Sequence, residues 1–260
     1  VGSEMCIRDS YNTCFAIRDE DEYFMVDAGG GNGILRVLED MDVDLCHIHN
    51  IFVTHEHTDH ILGIVWMVRM IATAMRKGTY QGELQIYCHQ GLTDTISTIC
   101  RLTMQGKFFK MIGSRIFLVP VEDGETVHIL DYDVTFFDIL STKARQFGFT
   151  TVLKNGCRFT CAGDEPYNPD CRAYVEGSNW LLHEAFCLYR DREIFAPYEK
   201  HHSTVKEACE LAEELNIPNL VLWHTEDKQL AQRKTLYIKE GRKYYHGNLL
   251  VPEDREIIVL

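Results

Sequence analysis

The chain has 260 residues, 45% of them hydrophobic and 25% charged, and a formal net charge of −13. Length and composition fit one globular domain with a sizeable core, and the acidic balance excludes a surface given over as a whole to phosphate backbones. Ten scattered cysteines, with no secretory signal in the sequence, read as free thiols of a cytoplasmic protein rather than a disulfide framework; Cys157 and Cys161 read as strand packing. Residues 1–10 show no periodicity and read as a non-native leader, leaving a single domain over residues 11–260 that lacks an edge strand at its start. Residues 13–18 and 22–27 then form a strand pair around the turn Asp19-Glu20-Asp21. The second strand runs into Asp27-Ala28-Gly29-Gly30-Gly31, and a helix follows over about 34–41. Ile51–Thr54 is a short buried strand. The apolar run Ile61–Met75, broken by Arg69, is too short to span a bilayer and places a buried helix at about 60–76. A strand at 84–88 and a helix near 92–104 come next.

Residues 115–140 alternate as strands, with turns at Asp123-Gly124 and Asp131-Tyr132-Asp133. Residues 149–154 and 158–162 flank Asn155-Gly156, a hairpin signal. Trp180-Leu181-Leu182 is another strand. Thr204 and Glu207 have capping-box spacing at the head of a helix whose stripe is Val205, Ala208, Cys209, Ala212 and Leu215, stopped by Pro218. Leu220–Trp223 is the last core strand, and a helix near 230–242 and a strand at 256–260 close the chain. Strands, βα units, strands and βα units in succession predict an α/β fold: a four-layer αββα sandwich of two mixed sheets with helices outside.

Chemistry concentrates in Thr54-His55-Glu56-His57-Thr58-Asp59-His60, directly after a buried strand. Imidazole and carboxylate are the donors that zinc and similar ions take. Alternate residues of an extended segment point the same way, so His55 and His57 can reach one ion. Asp59 and His60, where the chain bends into a helix, can face a second.

This His-x-His-x-Asp-His segment resembles the signature of the metallo-β-lactamase-fold superfamily, and the resemblance runs over nearly the whole chain. It implies further ligands at the ends of later strands: Asp164, in an Ala-Gly-Asp turn, as the bridging carboxylate, and His224, after Leu220–Trp223, as the last histidine. Asp27 matches an early aspartate that supports the site. The metal residues implied are His55, His57, Asp59, His60, Asp164 and His224, holding two divalent ions, zinc first and manganese or iron as alternatives. The third histidine of the first site is missing from residues 137–149, where Leu140 or Thr142 stands in its place; His128 lies earlier, on a different strand. The first site is thus expected to be open and weakly occupied.

His183-Glu184-Ala185 and His201-His202-Ser203-Thr204 resemble motifs of the ribonuclease Z-like branch, with Phe186 in place of a threonine and His201 in place of a glycine. The resemblance implies His202 as the group serving the leaving oxygen, Glu184 as its orienting carboxylate, and catalytic work shared by Asp59, His202 and Glu184. The long basic arm that clamps transfer RNA in that branch has no room in the plain hairpin before Asp164. A small or medium phosphodiester is therefore expected as substrate in preference to RNA, with Lys143 and Arg145 as candidate phosphate contacts and no membrane partner. Homodimers are common in the branch, and no sequence feature here specifies one. The alternatives are a thioester, lactone or other ester hydrolase of the same fold, and a metal-binding protein with an impaired site.

Overall fold

The structure, a computed structural model, describes residues 4–8, 13–226, 228 and 230–260. Fourteen strands are described: β1 (Glu4–Arg8), β2 (Cys14–Asp19), β3 (Glu22–Val26), β4 (Ile48–Phe52), β5 (Leu84–Cys88), β6 (Ile116–Pro120), β7 (Thr126–Ile129), β8 (Tyr132–Asp138), β9 (Phe147–Val152), β10 (Arg158–Cys161), β11 (Trp180–Glu184), β12 (Asn219–Trp223), β13 (Asn248–Leu250) and β14 (Ile257–Val259). The helices are α1 (Gly33–Asp40), α2 (Thr58–Lys77), α3 (Gln90–Thr103), α4 (Gly106–Phe109), α5 (Arg172–Val175), α6 (Arg192–Phe195), α7 (Val205–Glu214) and α8 (Leu230–Gly241).

The strands form two seven-stranded sheets, ordered β14-β1-β2-β3-β4-β5-β6 and β13-β12-β11-β10-β9-β8-β7. Each is antiparallel in one half and parallel in the other: β3 to β6 run parallel in the first sheet, β10 to β13 in the second. The aromatic side chains of Phe15, Phe24, Phe52, Phe136, Phe149, Phe159 and Trp223 fill the space between the sheets. A second apolar layer packs α2 on the outer face of the first sheet, and a third packs α7 on that of the second. The four-layer αββα sandwich is the observed architecture, and among the described residues no helix is long and apolar enough to cross a membrane.

Part of the segment read as a leader belongs to the fold. Residues 4–8 form β1, which pairs with β2 on one side and β14 on the other, Met5 opposite Ile17 and Ile258. Two waiting strand edges order a segment that shows no period of its own. The rest of that leader, residues 1–3, 9 and 10, lies outside the described residues. Two further boundaries move. The strand expected at 51–54 runs from Ile48 to Phe52: Val53 N still donates to Tyr87 O of β5 at 2.9 Å, and Thr54 N leaves the ladder for the Asp27 carboxylate. Tyr132, expected in a turn, opens β8, its ring being buried in the inter-sheet core.

α2 shows how the fold serves the site. Its apolar residues Ile61, Ile64, Met67, Val68, Ile71, Ala72 and Met75 are all buried, at the spacing of one helical face. Gly78, at φ 77°, ends it in the left-handed conformation that glycine adopts without strain. At Gly63 a Cβ would lie 1.8 Å from Ala28 O, so the absent side chain lets the helix start press against the loop that carries Asp27.

Candidate metal centre

The first sheet delivers its groups in one piece. β4 ends at Phe52 and α2 begins at Thr58, and the histidine segment is the connection between them together with the first turn of α2. Asp27, just past β3 and fully buried, organises it. Its Oδ1 accepts from Thr54 N at 2.8 Å, and its Oδ2 accepts from Thr54 Oγ1 at 2.8 Å and from His60 Nδ1 at 2.7 Å. That bond puts the His60 proton on Nδ1 and turns the lone pair of Nε2 inward. Thr54 Oγ1, having donated to Asp27, accepts from His55 Nδ1 at 2.9 Å, which turns His55 Nε2 inward in the same way. Asp59 falls in the first turn of α2, where the helix dipole favours a carboxylate.

The second sheet delivers single residues from the carboxyl ends of its parallel strands, the usual site position in open α/β sheets. Asp164 follows β10, Glu184 ends β11 and His224 follows β12 at φ 54°, a left-handed conformation uncommon for a side chain other than glycine and held here by the surrounding structure. The two sets meet. Asp164 Oδ2 lies 3.5 Å from Nε2 of His55, of His60 and of His224. Asp59 Oδ2 lies 3.4 Å from His60 Nε2 and 3.5 Å from His224 Nε2. His55 Nε2 and His57 Nδ1 are 2.8 Å apart. All six residues expected as metal ligands are therefore brought together, as two groups: His55, His57 and Asp164, and Asp59, His60 and His224.

These spacings suit a metal ion. Ligand atoms about 2.0–2.1 Å from a tetrahedral zinc ion stand roughly 3.3–3.4 Å from one another, close to the edges of the Asp59, His60, Asp164 and His224 set. His60 Nε2 is buried and has no hydrogen-bond partner, a costly state for a lone pair unless something fills it. Burial by itself would push the Asp164 carboxyl up, but the imidazoles of His55, His60 and His224 gathered around it hold it well below the usual range. Asp59 behaves likewise: burial pushes it up, and the neighbouring imidazoles of His224 and His60 bring it below its ordinary value. Both carboxylates are thus ionised, as ligands must be.

A third group adjoins the second. Glu184, His202 and His224 place ligand-type atoms within 4.8 Å of one another, and His202 Nδ1 is 3.5 Å from Glu184 Oε2. The other Glu184 oxygen accepts from Ser203 N, so the carboxylate is anchored at the start of α7, where Thr204 and Glu207 form the expected capping box. Phe186 stacks on the His202 ring at 4.9 Å and 18°, a contact that a threonine at 186 would not supply. A cavity of about 350 Å³ lies alongside, lined by Asp59, His224, Phe186, Phe195, Lys200 and Lys228, and another of about 380 Å³ is lined by Thr142, Tyr198, His201 and His202.

Other expected residues fall elsewhere. His128 pairs with Asp133 at 3.0 Å on an exposed hairpin and takes no part. Leu140 is 47% exposed, and Thr142 Oγ1 lies 2.6 Å from His201 Nδ1 rather than beside His55 or His57. Arg145 is bound to Asp138 at 2.9 Å, and neither it nor Lys143 lines either cavity; the basic residues that do are Lys200 and Lys228. Cys157 and Cys161 are free thiols outside the three groups. Sequence reasoning missed Gln146, which is 1% exposed and touches both His55 and Asp164; a lone glutamine before Phe147-Gly148-Phe149 carries no signal.

Comparison with known proteins bears on the fold and the family. Residues 24–225 match the family model described as Beta-lactamase superfamily domain. Ribonuclease Z of Azobacteroides pseudotrichonymphae is 20% identical, over 89% of this chain and 87% of that protein. Among solved structures, the metallo-beta-lactamase fold protein YhfI of Bacillus subtilis superposes with a TM-score of 0.79 at 16% identity, covering 99% of each chain. The short form of human tRNase Z superposes with a TM-score of 0.71 at 20% identity, covering 98% of each.

Proposed function

The chain belongs to the beta-lactamase superfamily, and from that premise we propose that it is a metal-dependent hydrolase cleaving a small or medium phosphodiester. The observation that carries the reading is the Glu184–His202 pair set against His224, itself 3.5 Å from Asp59: an acid for a leaving group beside groups that can hold metal. In this reading His55, His57 and Asp164 hold one divalent ion and Asp59, His60, Asp164 and His224 the other, zinc being the first candidate and manganese or iron alternatives. Bound there, the ions would polarise the phosphoryl group and lower the pKa of the attacking water.

The protein's own groups do the rest. Asp27 and Thr54 keep the inward nitrogens of His55 and His60 free of protons. Asp59, half-buried on the cavity wall, takes the proton of the attacking water. His202 gives a proton to the departing oxygen, and Glu184, 3.5 Å from its Nδ1, orients that ring. The cavity size supports a small substrate, the Lys200 and Lys228 ammonium groups support an anionic one, and the five-residue link between β9 and β10 leaves no arm to clamp RNA.

The test is metal content together with hydrolysis of bis(p-nitrophenyl) phosphate in added zinc or manganese. Bound metal with metal-dependent turnover is expected; turnover of thioesters or lactones in its place would overturn the phosphodiester assignment. One observation favours a second reading, a metal-binding protein with an impaired site: the first group has only two imidazoles among the described residues. Tightly bound metal with no turnover of any of these substrates would decide for it.

A further inference from the structure

Gln146 lies between β8 and β9, and its carboxamide is spent on the candidate metal centre. Its Nε2 donates to Asp164 Oδ1 and stands 2.8 Å from His55 Nδ1. Its Oε1 accepts from Asp164 N at 3.5 Å. The ionised Asp164 carboxylate dictates this orientation, because an amide oxygen turned toward it would be repelled. Asp164 presents its other oxygen, Oδ2, to the three imidazoles. Room for the amide comes from Gly163, at φ 84°, where a Cβ would lie 3.1 Å from Gln146 Oε1 and 3.0 Å from Ile139 Cδ1. The amide therefore sits behind the first group, hydrogen-bonded to Asp164 and packed beside the His55 ring, whose Nδ1 donates to Thr54.

We propose that Gln146 is the positioning residue of the first group, bracing Asp164 from behind where the superfamily pattern would add a third imidazole in front. The proposal rests on the metal-hydrolase reading above. An outer partner of this kind contributes about 10–100-fold in metal affinity, and its loss would fall hardest on the ion held by His55, His57 and Asp164, because the other ion keeps a second carboxylate, Asp59, beside His60 and His224.

The experiment is zinc titration in competition with a chromophoric chelator, on the wild-type chain and on Gln146→Met, which keeps the volume without the amide, and Gln146→Glu, which keeps the length without the donor. Melting temperatures in metal-free buffer report folding separately. A 10–100-fold weaker first ion in both variants, with the second ion weakened less, is expected. Wild-type affinities for both ions in either folded variant would reduce Gln146 to packing and overturn the proposal. A wild-type chain that binds no zinc would overturn the metal reading itself, and this proposal with it.

Discussion

The two sheets contribute to one centre in different ways. The first supplies His55, His57, Asp59 and His60 from a single connection, braced from behind by Asp27 and Thr54. The second supplies Asp164, Glu184 and His224 one at a time, from the ends of three adjacent parallel strands, and adds His202 from the head of α7. A contiguous segment keeps its internal geometry by covalent connection and a few local bonds. A set gathered from separate strands keeps its geometry only while the sheet register and the inter-sheet core persist. The first half can be recognised by spacing alone. The second half depends on packing, and the chemistry depends on both halves meeting at Asp164.

That difference sets the order of expected effects. Asp164→Ala removes the one carboxylate shared by both groups, and metal-dependent turnover of bis(p-nitrophenyl) phosphate should vanish; activity within tenfold of wild type would mean the halves are not joined there. His202→Ala should lower kcat about 10²–10⁴-fold while metal content by elemental analysis stays unchanged, since His202 touches Glu184 rather than Asp164; loss of metal would move it into the ligand set.

Gly63→Ala probes the scaffold of the first half. A Cβ 1.8 Å from Ala28 O forces α2 away from the Asp27 loop and should cost about 1–3 kcal/mol or more in urea unfolding. A neutral result would show that the helix start is free to shift.

The smallest effect concerns pH. His183 is buried in β11, and burial holds its ring below the ordinary imidazole value, only partly opposed by the Glu184 charge and by its hydrogen bond to Glu184 O. The unfolded chain therefore binds this proton more readily than the folded one. Stability from this residue is full above the ordinary value of about 6.5 and declines as pH falls from there toward the lowered one. His183→Gln should flatten the fall in melting temperature between pH 7.5 and 5.5; an unchanged slope would place the acid sensitivity elsewhere.

Much of this was legible in the residues. The helical stripe of α2, the capping box of α7 and the Asn155-Gly156 hairpin are local devices, and all three stand where their patterns place them. β13 was not legible: its three residues have no alternation to show and are ordered by pairing with β12. β1 was missed for the same reason. In the site, Arg145 looked available to a phosphate by composition, but Asp138 holds it, whereas Lys200 and Lys228 reach the cavity only through the path of two loops.

The sequence by itself determined the fold class and the first four candidate donors, because strand and helix periods and the His55–His60 segment are local properties that survive without coordinates; Asp164 and His224 were reached only through the family resemblance. Tertiary structure alone decided that Gln146 stands behind the first group, that Thr142 turns to His201, and that a stretch without periodicity completes a sheet. Those outcomes depend on which surfaces meet when the two sheets close on their aromatic core, and no spacing along the chain encodes that meeting.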